Sequence, residues 1–329
     1  MSGLAAAAGS PASDAAGPRT WIVALDGSGD FRSIQDAIDA SGKGDTVRVK
    51  AGAYPEDVTI HSKEGLKLLG EGMDQVTILG RERVGTFHIG KWPYGATAIE
   101  ISGLTVNEHG GHALGIFNGH TILLKQVRVK GMLFGQQVQN VRIEDSIIGG
   151  SETTGIQLAN CQAELVGNFI HDNDHGITVA GASQVTLDRN IVTRSLFEAV
   201  VVTDQARAIL VSNTLARNGG GVAVLGHSQA RASGNIIGFN RQGIVVAQSS
   251  SVALSHNALH NSDGNYYRAG SPPTLAPDLK PASDLSVDPR FVDLAHDDFR
   301  LAPDTSLTQV GGFAYLGALP PLQTPKEGK

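Results

Sequence analysis

The sequence predicts an all-β protein: a right-handed parallel β-helix solenoid with an N-terminal capping helix. Two observations carry this. Asn168, Asn190, Asn213, Asn235 and Asn257 recur at intervals of 22, 23, 22 and 22 residues, with Ser146 extending the series backwards. Small and aliphatic residues travel in step with them: Leu165, Leu187, Leu210, Ala232 and Leu254 three residues before, Ile170, Val192, Leu215, Ile237 and Leu259 two after. Units this short cannot bury their own apolar face, so they must stack, each coil pairing in parallel with the next. A third observation agrees: 41 glycines with only 5% aromatic residues suit many tight turns joining short strands.

Each segment has a physical reason for its place. Residues 1–19 are rich in Ala, Gly, Ser and Pro and are expected to be disordered, with no basic start and apolar run of a signal peptide. In residues 31–40, FRSIQDAIDA, Phe31, Ile34, Ala37 and Ile38 fall at helical spacing, so this helix is expected to close the N-terminal end of the stack. The solenoid domain is placed at 20–267, with about ten coils counted from residue 45. The ladder asparagines are expected at bends, serving turn backbone and accepting left-handed dihedrals. Cys161 falls in a ladder with Ser183, Ala206, Ser228 and Ser250 and reads as a packed thiol. Residues 268–329 turn Pro-rich and are expected to fold back over the last coils.

The opening WIVALDGSGDFRSIQDAIDA, followed by GDTVRVKAGAYPEDVTI and LKLLGEGMDQVTILG, resembles the first coils of pectin methylesterases and related pectate-lyase-like β-helix proteins. Repeats from about 111 to 267 are similar to those of bacterial polysaccharide lyases, mannuronan epimerases and periplasmic NosD-like proteins. SVDPRFVDLAHDDFRLAPDTS resembles the closing segment of secreted bacterial β-helix proteins. The resemblance implies the fold and leaves the chemistry open. The paired aspartates and Arg-Pro-Trp-like segment of pectin methylesterases are not found, and Gln136-Gln137 alone does not replace them; the Asp-Pro-His-Asp-type signature of mannuronan epimerases is also missing. No catalytic residue is therefore carried over.

A net charge of -6 without a basic run argues against nucleic acid or an anionic membrane surface as partner, and no apolar run is long enough for membrane insertion. The expected partner is a polysaccharide or oligosaccharide, and the expected setting secreted or periplasmic. Cys161, the single cysteine, gives no evidence on redox compartment.

In the repeat register the outward residues of the strands GIQLA, GITVA, AVVVT, GVAVL and GIVVA are Gln157, Thr178, Val201, Ala223 and Val245. The face grows apolar toward the C-terminus, so a polar catalytic floor belongs to the middle coils, and the apolar end reads as a contact patch or as surface under the tail. The stretch HDNDH, 171–175, falls in those coils. His175 and Glu198 occupy equivalent places in successive coils, about 4.8 Å apart, so the carboxylate is expected to hold one imidazole tautomer and raise the histidine pKa. Such a His would exchange the C5 proton of a uronate. Arg194 would neutralise the uronate carboxylate as a cation, or Asp172, Asp174 and Asp204 would do so by holding calcium. Gln137, Gln157 and Asp204 are candidates for substrate binding. The alternative is that HDNDH is only a hydrophilic bend, since the matching turns RSLFE, RNGG and NRQ share no chemistry. His109, His112 and His120, in NEHGGHALGIFNGH, could converge on a transition metal if their loop folds over, but match no zinc spacing; the bland reading is a Gly-rich loop. DGSGD at 26–30 reads as a tight turn, lacking the lysine of a phosphate loop. Two functions stay open: a lyase or C5-epimerase, and a noncatalytic NosD-like polysaccharide-binding scaffold.

Overall fold

In the computed structural model, residues 17–81, 85–91, 93–108 and 110–323 are described. Most of the segment expected to be disordered lies outside them. The described strands wind into an all-β solenoid of about 11 turns, forming a sheet of 19 strands and a sheet of 11. A full coil supplies one strand to the smaller sheet, such as His175–Ala180, and two to the larger, such as Gln184–Asp188 and Ile191–Thr193. Successive coils pair in parallel and in register, as in Ile177↔Val200 and Thr178↔Val201. The count exceeds the expected ten because Thr20–Val23 already pairs with Thr46–Val49, so the first coil begins before residue 45. Alternation decides the core: Ile177, Val179, Val200 and Val202 are fully buried while Thr178 and Val201 face outwards. Each such buried aliphatic side chain contributes about 1.5–3 kcal/mol.

The asparagine ladder is continuous. Asn168, Asn190, Asn213, Asn235 and Asn257 are at most 1% exposed. Each side-chain oxygen accepts from the backbone amide one coil earlier, at 3.0 Å for Ser146 and Asn168, 2.9 Å for Asn190 and 2.8 Å for Asn213. One detail differs from expectation. The left-handed conformation belongs to the residue before each Asn, namely Gly167, Arg189, Ser212, Gly234 and His256. That residue turns the chain, so the Asn side chain points inwards, where amides without water need an acceptor. Cys161 is 2% exposed in a parallel ladder, its Sγ on the Ala159 carbonyl, and burial pushes its pKa up.

The single α-helix among the described residues, α1, spans Ile34–Ala40 and buries Ile34, Ala37 and Ile38 against the first strands. Ser33 caps it, and Glu56 accepts from the amides of Ile34 and Gln35 at 2.8 and 3.0 Å. It starts later than the periodicity suggests because Phe31 bridges to Val23 as extended chain. DGSGD is a turn, with Asp26 accepting from the Ser28 amide and Asp30 from the Ile22 amide.

After residue 267 the chain makes a separate apolar cluster, setting Leu301, Leu307 and Leu316 on Ile236 and Ala258. Those two residues belong to the larger sheet. The tail's apolar cluster therefore sits on a different face from the outward row Val201, Ala223 and Val245, which is continued by Tyr267 in the same sheet.

Candidate functional site

A groove runs along the bends that lead from the larger sheet into the smaller one. At each bend a left-handed residue is followed by a buried polar one: Gly150 then Ser151, Asp172 then Asn173, Arg194 then Ser195, Arg217 then Asn218. The inner residues make a second, interrupted ladder: Asn173 accepts from the Ser151 amide at 3.0 Å and Asn218 from the Ser195 amide at 2.9 Å, while Asn173 Nδ2 and Ser195 Oγ, between them, are buried without a hydrogen-bond partner among the described residues. Thus the central Asn of HDNDH is structural. The outer residues face the groove, and three of them, Asp172, Arg194 and Arg217, are charged.

Two adjoining depressions, of about 690 and 440 Å³, make up the groove and share Gly150, Glu152 and Asp172. Lys130 and His171 line one part, Asp174, Arg194 and Arg217 the other. Asp172 is held by Arg194 through two hydrogen bonds of 2.6 and 2.9 Å and by His171 Nδ1 at 2.7 Å. The Arg194 bonds chiefly, and His171 next, hold its carboxyl at about 2 against the opposing effect of burial. Arg194 also donates to Asp297 of the tail, as does Arg217 at 3.0 Å. Asp172 and Asp297 thereby balance Arg194 and Arg217, which tie the tail to this end of the groove through Leu294 and Asp297.

These contacts bear on the expected roles. Both oxygens of Asp172 are engaged with cations, so it is not available as a calcium ligand in this arrangement, and Arg194 is already neutralised by two carboxylates. The described residues contain no group of three or more His, Cys, Asp or Glu placed to hold a metal ion. Asp174 lines the groove without a side-chain partner among the described residues. Gln137 and Asp204 lie elsewhere: both are left-handed residues of the bends at the opposite edge of the smaller sheet, and Asp204 accepts from the Gly181 amide at 2.9 Å. Across a strand of this length that is about 20 Å from the His175 side, at about 3.3 Å per residue. Gln157 stands between, flanked by Phe134 and Thr178.

His175 and Glu198 do come together. His175 Nδ1 is 3.2 Å from Glu198 Oε2, inside ion-pair range but without hydrogen-bond alignment, and Nδ1 is buried with no other partner. Phe197 stacks on the imidazole at 5.1 Å between ring centres. The ring is thus fixed on one face and one edge, and Nε2 is the nitrogen left for a ligand. The histidine loop is arranged differently from expectation. His109 lies outside the described residues, His120 contacts Thr121, and His112 Nε2 meets His88 Nε2 at 3.0 Å. His88 comes from the preceding coil, so spacing within the loop gave no sign of it. Burial first, and the charge of His88 next, lower the pKa of His112.

The low Asp172 pKa gives a pH prediction. Since it lies below the ordinary value of 3.8, the stability it contributes is present above about 4 and is lost as pH falls through about 2. The native melting temperature should fall more steeply than that of Asp172→Asn between pH 5 and 2, as read by circular dichroism. Parallel curves would show that the Asp172 ion pairs add nothing.

A family model described as right-handed β-helix region matches residues 92–263, which is 172 of 329 residues. The chain belongs to the right-handed β-helix family. The N-terminal segment of this β-helix protein also matches a pectinesterase model over residues 20–108. A probable pectinesterase/pectinesterase inhibitor 17 from Arabidopsis thaliana is 44% identical over 66 residues, 20% of this chain. The match spans only 13% of that relative's length. Among solved structures, pectate lyase Pel9A aligns over 93% of this chain and 97% of its own, with TM-score 0.59 and 12% identity. The A-module of Azotobacter vinelandii mannuronan C-5 epimerase AlgE4 aligns over 77% and 95%, with TM-score 0.43 and 17% identity. The likeness to Pel9A is one of fold.

Proposed function

We propose that this β-helix protein binds and modifies an extracellular or cell-envelope polysaccharide containing uronic acids, by lyase or C5-epimerase chemistry. The observation that carries the reading is the His175–Glu198 pair beside a charged groove. The β-helix family, the pectinesterase-like segment and a fold shared with pectate lyase Pel9A support the substrate class. A rigid groove crossing several coils suits an extended chain. His175 Nε2 takes the C5 proton, while Glu198 beside Nδ1 and Phe197 on the ring face position the imidazole; such contacts are often loose before substrate binds. In elimination the C5–H electron pair forms the C4–C5 double bond as the C4–O bond breaks and its oxygen takes a proton from water; in epimerisation water reprotonates C5 from the other face. Lys130, in the groove two coils before His171 and without a carboxylate partner among the described residues, holds the carboxylate of a neighbouring sugar unit. A secreted or periplasmic site of action fits such a substrate.

One observation favours the noncatalytic alternative: Arg194 and Arg217 both answer to Asp297, as in a groove built to be stable. Uronate polymers screened for absorbance of unsaturated ends, and by NMR for epimerisation, separate the two. His175→Ala is expected to reduce turnover by about 10²–10⁴-fold. Its unfolding free energy should fall by no more than about 1.5 kcal/mol, the range for loss of one half-buried ring stack. Full activity in that variant overturns the assignment, and binding without any product leaves the scaffold reading.

A further inference from the structure

On the larger sheet, away from the groove, the structure points to a second binding face for an anionic glycan chain. We propose that Arg207 and Arg231, with Gln184, Gln229 and Ile209, hold carboxylate-bearing sugars there; the proposal rests on the polysaccharide reading above. Gln184, Arg207 and Gln229 are register neighbours in three successive coils, and Thr186, Ile209 and Arg231 form the adjacent outward row. The two rows line adjoining depressions of about 580 and 330 Å³, with His227 at one rim.

The chemistry and spacing of this face fit that ligand. Neither guanidinium has a carboxylate partner among the described residues, in contrast to Arg194 and Arg217. A guanidinium presents paired donors that match a carboxylate, and Gln amides both donate to and accept from sugar hydroxyls. Between the arginines Ile209 is 45% exposed, an aliphatic surface for the C–H face of a pyranose ring. Neighbouring coils lie about 4.8 Å apart, so the face repeats on the scale of a sugar unit. The carboxylates bordering it are engaged: Glu164 with Arg142, Asp188 with Arg189, and Asp204 with the Gly181 amide. Such a face would hold a long polymer while its other segment lies in the groove.

The test uses the full chain and affinity electrophoresis or calorimetry with polygalacturonate, alginate and a neutral glucan. Native protein should bind the two uronate polymers, more weakly at high salt, and not the glucan. The double variant Arg207→Glu/Arg231→Glu should lose about tenfold or more in affinity, as like charges replace paired ones, with unchanged circular dichroism. The double variant Gln184→Ala/Gln229→Ala should show a smaller loss. Undiminished uronate binding by the charge-reversed protein, equal binding of the glucan, or no uronate binding by native protein each overturns the proposal. Binding that depends on the arginines in a protein yielding no product overturns only the catalytic reading.

Discussion

Asn213→Ala is expected to lower the unfolding free energy by roughly 3–5 kcal/mol, the range reached when a buried polar network loses its centre. Asn213 is fully buried, and its oxygen accepts from the Asn190 amide at 2.9 Å and from the Asn190 side chain at 3.0 Å. Its side-chain nitrogen donates to the carbonyls of Leu187 and Val211 and to Asn235 at 2.8, 3.1 and 2.9 Å. Alanine leaves these groups in an interior without water, where no rearrangement within one coil can serve them all. Ile209→Ala, on the outer face of the neighbouring strand, is the control and should cost far less. Urea unfolding of both proteins decides the matter: a loss below about 1 kcal/mol for Asn213→Ala would mean that the ladder is register without energy.

The main ladder was legible because it is a chemical repeat as well as a spatial one: one residue type returns about every 22 residues. The second ladder was not, since Asn173, Ser195, Asn218 and Asn240 mix two residue types, and the eye is drawn to the charges beside Asn173. His175 and Glu198 could be placed together because both lie two residues before a register pair, Ile177↔Val200. Register does not say what a long side chain does at a bend. Arg194 reads as a free cation in sequence, yet its partners are Asp172, a coil earlier, and Asp297, more than a hundred residues later. Gln137 and Asp204 lie at the C-terminal ends of the strands, across the sheet from His175, and linear position within a coil does not distinguish one bend from another. The His88–His112 contact was invisible for the opposite reason: the early coils depart from the 22-residue period, so no ladder pointed from one histidine to the other.

Where the ladder runs out, Asp284 from the tail takes the place of the next Asn, and its replacement by Asn is expected to stabilise the protein at neutral pH while replacement by Ala does the reverse. Asp284 is 2% exposed, accepts from the Asn257 amide at 2.9 Å and receives the Tyr266 hydroxyl at 3.0 Å. Burial pushes its carboxyl above the ordinary range, more than the bonds from Asn257 and Tyr266 pull it down. A carboxyl with a raised folded pKa destabilises the fold above that pKa, and the penalty fades as pH falls toward the ordinary value of 3.8. Asn keeps the oxygen that serves Asn257, replaces the other oxygen by an amide that can donate to Tyr266, and carries no charge. Asp284→Asn should therefore gain about 1–2 kcal/mol at pH 8, since removing a buried charge while keeping its hydrogen bonds is often favourable. Asp284→Ala strands the Asn257 amide and should lose about 2–3 kcal/mol. The advantage of the Asn variant should shrink as pH is lowered from 8 toward 4, measured as the difference in denaturant midpoint between the two proteins. An advantage that grows on acidification would mean that Asp284 is stabilising as a carboxylate and that the tail is held by its charge.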